Sequence, residues 1–326
     1  MLKLRVEEQV FPLAEVFTIS RGSRTDARVV VATLSDDVHV GRGECVPYAH
    51  YGESVASVIA QIESLQDDLA NGLDREALQA RLPAGAARNA VDCAFWDLEA
   101  KRSGTPVWQL AGLPAPVAEI TAFTLSLDSP AMMRDKARQH AARPLLKLKL
   151  GGEGDIERLR AVREGAPDSR IIVDANEGWD REAYQRLAPA LLELGIDMVE
   201  QPLPAADDAS LAEIERPLPV CADEACHDRS SLAALTGRYD MINIKLDKTG
   251  GLTEALALKR EALARGFEVM VGCMVGSSLS MAPALLVAQG AAVVDLDGPL
   301  LLARDREPGM RFDAAGIHPA SPRLWG

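Results

Sequence analysis

Six charged residues recur through the second half of this chain at a nearly even beat. They are Lys149, Asp174, Glu200, Asp223, Lys245 and Asp297, separated by 25, 26, 23, 22 and 52 residues, the last gap being twice the beat. Each lies in, or ends, a short apolar run of strand character. Such runs fall at 119–125, 145–150, 170–174, 197–200, 218–223, 240–245, 267–272 and 292–297. Helical patterns separate them, and several close on a glycine such as Gly195 or Gly266, the residue suited to a left-handed helix end. Alternating strands and helices predict an α/β fold, a modified (β/α)7β TIM barrel over 113–302 with one helix short or missing near its end. An open doubly wound sheet ranks second. It calls for a glycine-rich nucleotide loop after the first strand, whereas Gly151-Gly152 and Gly250-Gly251 are isolated pairs that tight turns explain.

The first 112 residues do not follow the beat. Runs at 3–11, 27–33 and 38–45 read as a three-stranded antiparallel meander, followed by helical stretches at 54–69, 75–82 and 85–102. This predicts an α+β capping domain over 1–112, a linker around Gly112–Pro116, and a segment, 303–326, that returns to the cap. Net charge is −13, which argues against nucleic acid or an anionic membrane as partner. Glu7 and Glu8 interrupt the place of a signal peptide, and Pro283 and Gly290 break the most apolar later stretch. A cytoplasmic protein is expected, with a homo-oligomer left open. Cys221, Cys226 and His227 lie close together, but their spacing does not fit a zinc site.

In a parallel barrel, residues at the C-terminal ends of strands converge on one mouth. Asp174, Glu200 and Asp223 end three consecutive strands. Three carboxylates side by side repel unless a cation lies between them, and an all-oxygen set favours Mg²⁺ above Mn²⁺. Lys147 and Lys149 are two apart and share a strand face. Lys245 ends the strand after Asp223, so one ammonium lies on each side of the metal. This order suits removal of a proton next to a carboxylate, with the metal stabilising the resulting enediolate. It requires lysine pKa values lowered toward neutral by burial and nearby cations. Two bases on opposite faces imply inversion at carbon. Asn176 and Glu224 flank two ligands and are expected to orient them. Lys248 falls outside the strand and reads as supporting.

The segments LLKLKL, IIVDANEGW, MVEQPLP, CADEACH, INIKLDKTGG and DLDGP resemble the enolase superfamily, muconate-lactonising subgroup. No His lies near the sixth and seventh strands, which disfavours the mandelate racemase branch. Within the subgroup the chain resembles the dipeptide epimerases of the L-Ala-D/L-Glu type. The resemblance implies Lys149 and Lys245 as the two bases in a 1,1-proton transfer and Asp174, Glu200 and Asp223 as Mg²⁺ ligands. It also implies Asp295 and Asp297 as holders of the dipeptide's ammonium, Lys147 as a further substrate-binding group, and Arg24 as partner of the glutamate side chain. The implied step belongs to the reuse of murein peptides. Other reactions of the subgroup are the nearest rivals: cycloisomerisation, o-succinylbenzoate synthesis and N-acylamino-acid racemisation. Their substrates lack the ammonium that Asp295 and Asp297 would hold. A silent metal-binding barrel is the rival from another class.

Overall fold

The computed structural model describes residues 2–326. Strands β1 (Lys3–Ile19) and β2 (Gly22–Ser35) form a long hairpin, and β3 (Val40–Cys45) pairs with the other edge of β2. The hairpin extends well past the apolar pattern in its sequence. Its ladder shifts register between Pro12 and Phe17, then resumes and runs to Ile19↔Gly22. Alternation fades there because the tip packs mainly on the facing cleft, with only Phe17 reaching the small cluster of Leu13, Ala27 and Leu302. Arg24 lies on β2, near this tip.

The stretch expected as one helix over 54–69 is two, α1 (Val55–Glu63) and α2 (Gln66–Ala70), followed by α3 (Arg75–Arg81). Ser54 and Ser57 cap α1 reciprocally, and the Asp74 carboxylate accepts from the Ala77 amide at the start of α3. Helix α4 (Ala86–Ser103) is buried along most of its length, and a short α5 (Val107–Leu110) follows. One side of α4 lies so close to β3 that glycine is required: a Cβ on Gly41 or Gly43 would come within 2.2 or 2.1 Å of the Ala94 or Ala90 carbonyl oxygen. The other side is polar and still buried. Arg88 donates to the Thr249 carbonyl (2.7 Å) and Asn89 to Asp247 (2.8 Å), while Asp92 accepts from the Thr253 hydroxyl (2.6 Å). This face is a hydrogen-bonded seam against the second half of the chain, which satisfies polar groups that burial would otherwise penalise.

Eight parallel strands follow in sequential order: β4 (Phe123–Leu125), β5 (Leu145–Lys149), β6 (Arg170–Asp174), β7 (Ile196–Glu200), β8 (Val220–Ala222), β9 (Met241–Ile244), β10 (Glu268–Gly272) and β11 (Val293–Asp295). The outer helices are α6 (Pro130–Gln139), α7 (Asp155–Gly165), α8 (Arg181–Glu193), a single turn α9 (Leu232–Leu235), a turn α10 (Leu246–Thr249) leading into α11 (Leu252–Ala264), and α12 (Ser278–Ala288). After β11 comes only the turn α13 (Gly298–Leu301). The ring also thins in its middle, where 3-10 turns replace a helix between β7 and β8. Between β4 and β11 the barrel closes through Ala122 N–H to the Val294 carbonyl (2.8 Å), Leu296 N–H to the Thr121 hydroxyl (2.8 Å) and Thr124 N–H to the Asp297 carboxylate (2.6 Å).

Inward-pointing residues form layers. An apolar floor is built from Ala122, Leu145, Ile172, Met198, Cys221, Met241, Met270 and Val293. The next positions outward along the same faces carry the charges. The last residues return to the early elements: Ala303 N–H donates to the Pro12 carbonyl, Arg306 pairs with Glu44 (2.6 Å), and the Trp325 indole donates to the Cys93 carbonyl. Among the described residues no helix is long and apolar enough to cross a membrane.

Candidate active site

Strand register explains the convergence. Lys149 pairs with Asp174 across β5–β6, and Asp174 with Glu200 across β6–β7. Oxygen atoms of Asp174, Glu200 and Asp223 all lie within 4.8 Å of one another, and all three side chains are buried. Burial, then the charges of Asp174 and Asp223, push the Glu200 carboxyl up to about 7. For Asp174 burial acts in the same direction, but Lys149 and Lys147 outweigh it and hold the group at about 2. Three crowded carboxylates of which one is forced toward neutrality are a site that a cation relieves. The donors are all oxygen, which suits a hard ion.

The lysines are bound into the same lattice. Lys149 Nζ lies 2.5 Å from Asp174 and Lys245 Nζ 2.6 Å from Asp223. Lys147 Nζ lies 2.5 Å from Glu200, 2.7 Å from Asp295 and 3.4 Å from Asp174, almost wholly out of solvent. Lys248, expected to be a supporting group, is folded back by α10. Its Nζ donates to the Asp223 carboxylate and carbonyl (both 2.5 Å) and to the Asn243 carbonyl (3.1 Å). Burial lowers the Lys245 pKa, but Asp223 and Glu200 more than reverse this, and the group is raised well above its ordinary value. The carboxylates that gather a metal also hold the ammonium charged, so a cation among them is what would move the lysine toward neutrality.

The flanking residues divide. Asn176 orients Asp174 as expected, through its backbone N–H (2.8 Å) and side-chain amide (3.1 Å). Glu224 makes no bond to Asp223. It turns into the cleft and accepts from Arg21 (2.7 Å), because the chain has left the strand after Ala222 and alternation no longer aims the side chain. Two orienting residues escaped the sequence reading. Asn243 donates to Glu200 (2.6 Å), and Gln201 accepts from the amides of Asp223 (2.9 Å) and Ala225 (3.1 Å). Asn243 lies two before Lys245 on one strand face, so the period-two argument used for Lys147 and Lys149 also reaches it. Gly272 makes room for it: a Cβ there would stand 2.7 Å from the Asn243 amide oxygen. Positive φ at Asn176 (46°), Glu177 (64°) and Gln201 (33°) marks left-handed backbone just past two ligand strands, a conformation that costs about 1–3 kcal/mol at a non-glycine residue.

Asp295 ends β11, whereas Asp297 lies beyond it at the start of α13. Both still face the cavity beside Lys147. Asp295 gives one oxygen to Lys147 while its other has no partner. Burial and the Asp295 charge push the Asp297 carboxyl up to about 7. At the opposite wall the hairpin tip presents two arginines. Arg21 is tied to Glu224, the Asn176 carbonyl (3.0 Å), Glu177 (3.4 Å) and the Tyr48 hydroxyl (3.0 Å). Arg24 is exposed, lies 5.4 Å from the Tyr48 ring centroid and makes no ion pair among the described residues. The cavity also touches Cys273, Met274 and Val275 after β10.

A barrel mouth with these carboxylates and lysines, under a cap of this build, has counterparts of known kind. Residues 1–112 match the mandelate racemase / muconate lactonizing enzyme N-terminal domain, and residues 132–299 the enolase C-terminal domain-like family. The chain therefore belongs to the enolase superfamily, in its mandelate racemase / muconate-lactonizing group. L-Ala-D/L-Glu epimerase of Escherichia coli (strain K12) is 50% identical over 320 residues, 98% of this chain and 100% of that protein. N-acetyl-D-glutamate racemase of a Pseudoalteromonas species is 44% identical over 300 residues, 91% of this chain and 95% of that one. A solved enolase-family structure from Agrobacterium tumefaciens, homologous to dipeptide epimerases and holding sodium and L-Ala-L-Glu, superimposes with a TM-score of 0.98 at 54% identity over the whole of both chains.

Proposed function

We propose that this protein is a dipeptide epimerase that interconverts L-Ala-D-Glu and L-Ala-L-Glu. The observation that carries the reading is the placement of Lys149 and Lys245 on either side of the three carboxylates, with Asp295 and Asp297 lining the same cavity. The cofactor is Mg²⁺, held by Asp174, Glu200 and Asp223. When bound there, it supplies positive charge opposite the substrate carboxylate as negative charge builds on it.

The protein's own groups do the rest. Lys149 takes the α-proton of the C-terminal residue from one face and Lys245 returns a proton on the other, so the α-carbon, planar between the two steps, leaves with inverted configuration. Asn176, Asn243 and Gln201 fix the carboxylates. Asp295, through the oxygen that Lys147 leaves free, and Asp297 receive the N-terminal ammonium, and Arg24 receives the glutamate side chain with the fork geometry suited to a carboxylate. Residues 1–112 and 303–326 act as the cap over a catalytic barrel spanning 113–302, in a cytoplasmic enzyme of murein-peptide reuse.

The test is incubation with L-Ala-D-Glu and Mg²⁺ in D₂O, followed by NMR. Deuterium enters the glutamate α-position as the L-epimer appears; its absence overturns the reading. N-acetyl-D-glutamate, the substrate class of one close relative, shares the reacting end and lacks the ammonium. Faster exchange on that compound assigns the chain to N-acylamino-acid racemisation instead.

A further inference from the structure

Two cavities meet at the ammonium end of the site. The catalytic cavity holds ≈ 70 Å³, and a second, largely apolar one of ≈ 200 Å³ lies beside it. Both are lined by the same three residues: Phe17 from the hairpin tip, Thr124 on β4 and Leu301 at the end of α13. The three thus form a partition. The Thr124 amide holds the Asp297 carboxylate at 2.6 Å, and Leu301 ends the short helix that Asp297 begins. The partition is therefore built into the ammonium clamp itself.

Chemistry says what faces it. In a dipeptide the carbon that bears the ammonium also bears the first side chain, one bond away. A clamp at Asp297 brings that side chain against the wall nearest Asp297. Beyond the wall the surfaces are apolar, including Val16, Phe123, Leu125 and Leu300. The polar groups there are occupied: Glu15 pairs with Lys136 at 2.7 Å, and His140 stacks on Phe123 with ring centroids 4.0 Å apart. The space suits an aliphatic or aromatic group and offers no free partner to a charged one.

Resting on the dipeptide reading above, we infer that Leu301 and Phe17 are specificity-determining residues that confine the first side chain to the size of a methyl group, and that the cavity behind them accepts larger apolar side chains once either is cut back. Neither touches the reacting carbon, so the effect falls on recognition.

The experiment compares kcat/KM for L-Leu-L-Glu with that for L-Ala-L-Glu, by α-deuterium exchange, in the wild type, Leu301→Ala and Phe17→Ala. The ratio cancels the fraction of folded enzyme, so partial misfolding of a variant does not blur it. We expect the ratio to rise about tenfold or more in each variant, the scale for admitting an apolar group to a hydrophobic pocket, mainly through KM. A ratio within twofold of wild type in both variants overturns the inference while leaving the epimerase reading intact. So does a gain confined to L-Ala-L-Phe, which would put the second side chain in that space. Failure of the wild type to exchange either dipeptide overturns the epimerase reading, and this inference with it.

Discussion

The barrel mouth and the hairpin tip face each other across one cavity and are built in opposite ways. At the mouth every lysine is buried and answered: Lys147 by three carboxylates, Lys149 by Asp174, Lys245 and Lys248 by Asp223. At the tip Arg21 is bolted down by four partners, while Arg24, on the same short stretch of hairpin, is exposed and free of ion pairs. Groups that must act on a proton are immobilised in advance, which is where preorganised electrostatics has its effect. The group proposed to read the substrate is left with its charge unspent.

The strongest way to break this contrast is to remove a base. Lys149→Ala and Lys245→Ala should each abolish epimerisation and lower α-deuterium exchange from one epimer by about 10²–10⁴-fold, the two variants losing opposite epimers. Loss of the same epimer in both would end the symmetric two-base assignment. A gentler probe of the immobilised side is Asn243→Ala, which deprives Glu200 of its donor. Mg²⁺ affinity, read by calorimetry, should weaken about 10–100-fold; an unchanged affinity would show that Glu200 needs no such support. On the free side, Arg24→Met should raise KM for L-Ala-L-Glu about 10–100-fold, the worth of one charge-assisted hydrogen bond, with kcat little changed. A comparable loss for a dipeptide with an apolar second residue would mean that Arg24 holds the hairpin and not the substrate.

The smallest effect lies away from both, in the buried seam along α4. Asp247 accepts from the Val46 amide (3.0 Å) and Asn89 (2.8 Å). Burial, partly offset by these two bonds, pushes its carboxyl up to about 7. A folded-state pKa above the ordinary carboxyl value of about 3.9 means that the folded protein binds this proton more tightly than the unfolded chain does. Stability from this group is therefore present at low pH and lost as pH rises through about 4 to about 7. Asp247→Asn should remove that slope, changing the stability difference from wild type by about 1–2 kcal/mol between pH 6 and pH 8. Parallel urea-unfolding curves across that range would contradict it.

The barrel and its chemistry were legible because a single rule, a charge at or just past the C-terminal end of six of the eight strands, survives without knowledge of packing. The rule stopped where strands stop. It placed Lys149, Asp174 and Glu200 in register, but Asp223, Lys245 and Asp297 all lie past a strand end, and it misdirected Glu224. Asn243 was missed for another reason: period two reaches it, but an uncharged amide in an apolar run carries no cost that demands explanation. The hairpin tip was illegible because its residues answer to a facing cleft and not to a core. The buried polar face of α4 was hidden likewise, since its partners Asp247, Thr249 and Thr253 lie about 160 residues away in sequence.

Where the barrel closes, its first and last strands are joined partly by side chains. One of those links is the Thr124 amide on Asp297, the same carboxylate proposed to greet the substrate's ammonium. Retuning substrate choice at that position and keeping the cylinder shut are therefore one problem. A lineage drifting toward a new substrate by replacing Asp297 would loosen its own closing stitch. Changes at Leu301 or Phe17, which bear no such stitch, offer the less hazardous route.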